Sequence, residues 1–116
     1  MNAQAEAIVV LVTAGDGDEA ARLAEVLVDE NLAACVQVLP KMESVYHWKG
    51  KIERQSEVLL IAKTVRAKFE ELERQVKALH SYETPEIVAL PITAGSAGYL
   101  EWLSASLKSQ GHSIKD

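Results

Sequence analysis

The sequence predicts an α+β domain that runs β-α-β-β-α-β and ends in one further helix. Three observations carry that prediction: an aliphatic run near the start, two apolar stripes at helical spacing, and two long strand-like runs that meet at Lys49-Gly50. The first run, Ile8-Val9-Val10-Leu11-Val12, suits a central strand covered on both faces. Asp16-Gly17-Asp18 ends it with turn chemistry, and Asp16 with Glu19 has the spacing of a capping box. Ala20, Leu23, Ala24, Leu27 and Val28 then share one helical stripe. Asn31 supplies a left-handed stop.

From Cys35 the pattern becomes that of a strand, with Val36 and Val38 alternating with Gln37 and Leu39. Pro40 cannot donate to a ladder, so the strand bulges there or runs along an edge. It resumes through Val45-Tyr46-His47-Trp48. Lys49-Gly50 is a tight reversal in which the glycine takes a positive φ. The chain returns through the polar residues 51–57 into Val58-Leu59-Leu60-Ile61, and the two runs make one long hairpin.

Val65, Phe69, Leu72, Val76 and Leu79 form the second stripe, with Thr64 as its cap. Glu70 with Arg74, and Glu73 with Lys77, pair on its wet side. Thr84 is pushed extended by Pro85, so a loop follows. Glu86-Ile87-Val88-Ala89-Leu90 reads as a buried fourth strand ended by Pro91. Ser96 caps a last helix that carries Tyr99, Leu100, Leu103 and Leu107. Two right-handed crossovers place the first two helices on one face of an antiparallel sheet, which is the ferredoxin-like sandwich. Residues 1–116 read as one domain, with an ordered core over 7–107 and a polar tail over 108–116.

A chain of 116 residues has room for one core. With 48% hydrophobic and 25% charged residues it has a globular balance, which argues against disorder. A net charge of −5 argues against a nucleic-acid partner, because phosphate binding needs a basic face. The first apolar run is too short to span a bilayer and lacks the basic residues of a secretory leader. The lone cysteine, Cys35, excludes an intrachain disulfide and any Cys-x-x-Cys motif. The expectation is a soluble cytoplasmic protein with neither a membrane nor a nucleic-acid partner.

The hairpin outruns the helices and carries Tyr46 and Trp48 on one face. Such a ribbon is an aggregation hazard unless something covers it. Either the last helix folds back over the aromatics, or they pack on a neighbouring chain and close a ring.

The densest polar cluster is His80-Ser81-Tyr82-Glu83-Thr84-Pro85-Glu86. His80 either caps the last helical carbonyls or, with Glu83 or Glu86, offers ligands to a divalent cation. Lys63, between an apolar strand and a helix, either meets an anionic ligand or pairs with Glu57 or Glu86. Cys35 reads as a packed thiol, His47 as a surface residue of the hairpin, and His112 as part of the tail. There is no paired thiol in the first strand–helix loop, no aromatic-basic strand motif for RNA, no glycine-rich phosphate loop and no Ser/His/Asp set.

Five ordered segments point to a family. They are Leu32-Ala33-Ala34-Cys35-Val36, Ser44-Val45-Tyr46-His47-Trp48-Lys49-Gly50-Lys51, Glu57-Val58-Leu59-Leu60-Ile61-Ala62-Lys63-Thr64, His80-Ser81-Tyr82-Glu83-Thr84-Pro85-Glu86-Ile87 and Tyr99-Leu100-Glu101-Trp102. Together they closely resemble the CutA family of divalent-cation tolerance proteins, over residues 8–107. The resemblance implies a ferredoxin-like homotrimer, similar in architecture to the PII signalling proteins, with no catalytic reaction. It implies a link to tolerance of copper and other divalent ions.

Some members are credited with copper binding through a first-strand cysteine and two adjacent histidines after the second helix. Val12 and Leu79-His80 stand there in this chain, so His80 alone carries over, as a weak ligand for Cu²⁺ or another divalent cation. Gly15, Lys41 and Ser81 stand where the family favours Pro, Gly and Pro. The leading function is a trimeric metal-responsive binding protein. The alternative is a PII-like trimer whose inter-subunit cleft, near Tyr46, Trp48, Lys63, Tyr82 and Glu86, holds a small molecule or a protein partner. An interaction scaffold without a ligand is the third.

Overall fold

In a computed structural model, which describes residues 6–108, the predicted order of elements is present. It runs β1 (Ala7–Ala14), α1 (Gly17–Asp29), β2 (Cys35–Trp48), β3 (Lys51–Val65), a single 3₁₀ turn (Arg66–Lys68), α2 (Phe69–Leu79), β4 (Ile87–Pro91) and α3 (Ala97–Lys108). The four strands lie in the order β2-β3-β1-β4, and every neighbouring pair is antiparallel. Lys108 closes α3, whereas the rest of the expected polar tail, His112 included, lies outside the described residues. Among the described residues no helix is long and apolar enough to cross a membrane.

Side chains alternate across a strand, so β1 and β3 each present one set to the helices. Ile8, Val10, Val12 and Ala14 of β1 join Val58, Leu60 and Ala62 of β3 beneath Ala20, Leu23 and Leu27 of α1 and Leu72 and Val76 of α2. Both helices therefore cover the same face, as the crossover argument requires. Asp16 accepts the Glu19 N–H at 2.8 Å and starts α1. Asn31, at a φ of 59°, stops it.

Two local expectations give way to tertiary packing. Thr64 and Val65 continue β3, pairing with Ile8 and Ala7, and do not start α2. Thr64 is fully buried and its hydroxyl donates to the Leu32 carbonyl at 2.7 Å. Val65 joins Ala34, Leu103 and Leu107 in a second small core under α3. Both are β-branched and suit a strand as well as a helical stripe, and pairing with β1 decides the matter. The fourth strand is not buried within the chain: it is an edge, and Val88 and Leu90 on the face away from the helices are 46% and 50% exposed.

The hairpin leaves the body at a bulge. The β2–β3 register shifts between Leu39 and Met42, at Pro40, and Lys41 takes a φ of 64°. At the tip Lys49 (φ 52°) and Gly50 (φ 80°) are both left-handed, the combination of a type I′ turn. The molecule measures 50 × 29 × 23 Å. A 15-residue β3 accounts for the long dimension at about 3.3 Å per residue. α3 packs beside Val65 and Ala34, so it does not fold back over Tyr46 and Trp48.

The left-handed Lys41 explains why glycine suits that position. Lys41→Gly should raise stability by about 0.5 kcal/mol, since relief of the left-handed strain exceeds the entropy that glycine adds to the unfolded chain. Urea unfolding with an unchanged slope checks this.

Candidate functional site

α2 stops at His80, whose N–H still donates to the Val76 carbonyl at 2.9 Å while its own backbone turns extended. That turn drives the imidazole inward, where it is 0% exposed. Nε2 lies 2.6 Å from the Thr13 carbonyl at the end of β1, and Nδ1 accepts the Tyr82 N–H at 3.0 Å. A carbonyl only accepts, so the proton sits on Nε2 and the lone pair on Nδ1 is taken. His80 therefore does more than cap a helix: it ties the α2–β4 loop to β1.

Beside it lies Glu19, buried in the first turn of α1. Its Oε1 accepts the Gly15 N–H at 2.9 Å and the Ser81 hydroxyl at 3.1 Å, and its Oε2 accepts the Ser81 N–H at 2.6 Å. Burial pushes this carboxyl up, but the donors from Gly15 and Ser81 outweigh it and hold it below the ordinary carboxylate value. The ionised form is thus favoured by folding, and its contribution fades as pH falls through the carboxylate range. The capping box is modified, because Glu19 reaches back to Gly15 and not to Asp16. Gly15 and Ser81 both give Glu19 a backbone N–H that a proline in their place would lack.

Tyr82 extends this network to the hairpin. Its ring packs against His80 with centroids 4.7 Å apart. Its hydroxyl donates to Glu57 Oε2 at 2.6 Å and accepts from Gln55 Nε2 at 3.0 Å. Glu57 Oε1 accepts the Ser44 hydroxyl at 2.5 Å, and Gln55 Oε1 accepts the Tyr46 hydroxyl at 2.8 Å. Burial, then the bond to Glu57 and its negative charge, push the Tyr82 phenol up to about 12.

Within one chain the sequence-predicted cleft residues separate into groups. Tyr46 and Tyr82 meet through Gln55. Trp48 stands at the hairpin tip, 59% exposed, with the Lys49 ammonium 5.8 Å from its ring centre. Lys63 pairs with neither Glu57 nor Glu86: its Nζ donates to Gln37 at 2.5 Å and lies 5.9 Å from the Tyr99 ring centre. Glu86 is exposed just before β4. Cys35 is a free, half-buried thiol and not a packed core residue, because it faces Lys63 across the ladder on the side away from α1 and α2.

Among the described residues no group of three or more His, Cys, Asp or Glu is placed to hold a metal ion. Sequence reasoning missed Glu19, Glu57, Gln55 and Ser44 as members of the network. The Asp16/Glu19 spacing was the one available signal, and it pointed only to a cap.

Alkaline titration followed by phenolate absorbance should show one of the three tyrosines ionising near 12. Its folded value lies above the ordinary value of about 10, so its bonds stabilise the fold fully below that pH. The contribution is lost as pH rises toward 12, and Tyr82→Phe should remove the late step.

Comparison with known proteins agrees with this architecture. The family model described as CutA1 divalent ion tolerance protein matches residues 8–106. The chloroplastic protein CutA of Arabidopsis thaliana is 50% identical over 101 residues, covering 87% of this chain and 56% of that one. The chain thus spans about half the length of that plant relative. The divalent-cation tolerance protein CutA of Thermus thermophilus is 47% identical over 95 residues, covering 82% of this chain and 92% of that one. The crystal structure of CutA1 from Oryza sativa matches with a TM-score of 0.87 at 45% identity, covering 90% of this chain and 96% of that one. With a family match over most of its length and a shared fold, the chain belongs to the CutA family of divalent ion tolerance proteins.

Proposed function

We propose that this protein is a homotrimer that serves divalent-cation tolerance in the cytoplasm by binding and not by catalysis. The observation that carries the assembly is the uncovered face of the sheet. Leu11 faces Ile61 on one side and Val88 on the other, while Val9 faces Leu90 and Thr13 faces Leu59. Residues directly opposite one another share a face, so these form one largely apolar surface that α1 and α2 leave uncovered, with α3 lying only at its Val65 end. The hairpin adds Tyr46 and Trp48 on one of its faces and Val45 and Ile52 on the other, all exposed. Apolar surface of this extent on a lone chain calls for a partner. A flat face and a projecting arm on the same chain also give each copy a surface to offer and one to receive, and such contacts close rings. The threefold count rests on the family resemblance, and the free thiol suits a reducing compartment.

A second reading, a PII-like trimer with a ligand cleft between subunits, is favoured by one feature. The Tyr46 and Tyr82 hydroxyls converge on Gln55 at the root of the arm, where a neighbour would meet the sheet. Native mass spectrometry of protein purified without added metal tests both readings. The expected mass is that of three chains, a monomer at micromolar concentration would overturn the assembly, and a retained small molecule would favour the cleft. Trp48→Ala should weaken the trimer by a few kcal/mol, as buried interface aromatics commonly do.

Copper is the divalent ion that nitrogen and oxygen donors hold most firmly in general. At His80 it must displace either the Tyr82 N–H from Nδ1 or the proton from Nε2. Weak Cu²⁺ binding is therefore the expectation, weaker still in His80→Gln. Calorimetry checks this: equal affinity in the two proteins removes His80 from the reading, and tight binding in both assigns the ion to other donors.

A further inference from the structure

We propose that Tyr82 is the positioning residue that aims the β2–β3 hairpin, clamping the α2–β4 loop to the root of the arm; its consequence for assembly rests on the trimer reading. Among the described residues, the side-chain hydrogen bonds that join the arm to the body are those to Tyr82. Both its faces are largely exposed beyond Met42, and the bulge between Leu39 and Met42 interrupts the ladder just where the arm leaves the body. A two-stranded ribbon twists and bends readily, and a bulge makes it more compliant still.

Immediately beyond the bulge the ladder pairs Met42 with Glu57 and Ser44 with Gln55. Glu57 and Gln55 are the groups held by the Tyr82 hydroxyl, and Ser44 is bonded to Glu57 in turn. Tyr82 is itself anchored from behind. Its N–H is held by His80, His80 by the Thr13 carbonyl of β1, and Ser81 by Glu19 of α1. The chain of bonds thus runs from the rigid body, through one phenol, to both strands of the arm.

Geometry makes this consequential. From Met42 to Trp48 the arm projects about 20 Å, so a tilt of about 10° moves its tip by about 3.5 Å. That shift approaches the spacing between adjacent strands and is enough to misplace Trp48 and Ile52 on a neighbour. A closed ring tolerates little error of angle, because each copy repeats it.

The test uses Tyr82→Phe, which keeps the ring and loses both hydroxyl bonds, with Thr64→Val as a control that deletes a buried hydroxyl bond far from the arm. Spin labels at Lys51→Cys and Arg22→Cys in a Cys35→Ser background report the angle between arm and body within one chain. Labelled protein is diluted into unlabelled protein so that only that distance is read. Tyr82→Phe should broaden the distance distribution, and its trimer should dissociate at about tenfold higher concentration, the equivalent of one lost hydrogen bond. Thr64→Val should lower the unfolding midpoint and leave both readouts unchanged.

An unaltered distribution in Tyr82→Phe overturns the proposal, as does equal broadening in the control. If Tyr82→Phe does not fold, Gln55→Leu removes one of the two bonds and is read the same way. A monomeric wild type defeats the trimer reading alone, since the distance within one chain still decides the role of Tyr82.

Discussion

A four-stranded sheet with its two crossover helices on one side leaves the other side uncovered except where α3 lies over Val65. Here that side is apolar, because β1, β3 and β4 are aliphatic at successive positions and not merely at alternate ones. Such runs belong to strands covered on both faces. Half of that cover comes from α1 and α2, while Val9, Leu11, Leu59, Ile61, Val88 and Leu90 face the side away from them. The tertiary fold is thus complete while the burial is not, and the proposed trimer follows from that imbalance. The exposed edge β4 and the half-buried Cys35 have the same cause.

A second feature joins the body to the arm. Buried carboxylates are costly unless several donors face them. Glu19 has three donors from Gly15 and Ser81, and Glu57 has the hydroxyls of Ser44 and Tyr82. His80 lies beside Glu19, with both ring nitrogens in use. Gly15 and Ser81 are therefore related in role, since each provides the same carboxylate with an N–H. The histidine, the strongest metal donor that the sequence offered, is committed to structure in this arrangement, which bears on how firmly copper can be held.

The helices, their faces and the hairpin were legible in the sequence because they follow from local period and turn chemistry. Leu23 and Leu27, or Leu72 and Val76, declare a helical face whatever they pack against. Pro40 declared its bulge because it lacks an N–H, and Asn31 its helix stop because it tolerates a positive φ. The resemblance carried by residues such as Ser44–Lys51 and His80–Ile87 identified the family for the same reason, since it needed only order and spacing. By itself, then, the sequence determined the order of elements, the inward-facing core and the family.

Contacts distant in the chain were not legible. The bond from Tyr82 to Glu57 spans 25 residues, those from Ser81 to Glu19 span 62, and that from His80 to Thr13 spans 67. Nothing in a local window sets Glu57 apart from its exposed neighbours Glu53 and Glu43. Thr64 and Val65 matched a helical stripe and a strand equally, and pairing with β1 settled the choice. Only the tertiary structure decided that His80 points inward, that Glu19 and Glu57 are buried, and that Lys63 bonds Gln37. The physical reason is that burial and hydrogen-bond partners belong to pairs of segments, which a one-dimensional pattern does not contain.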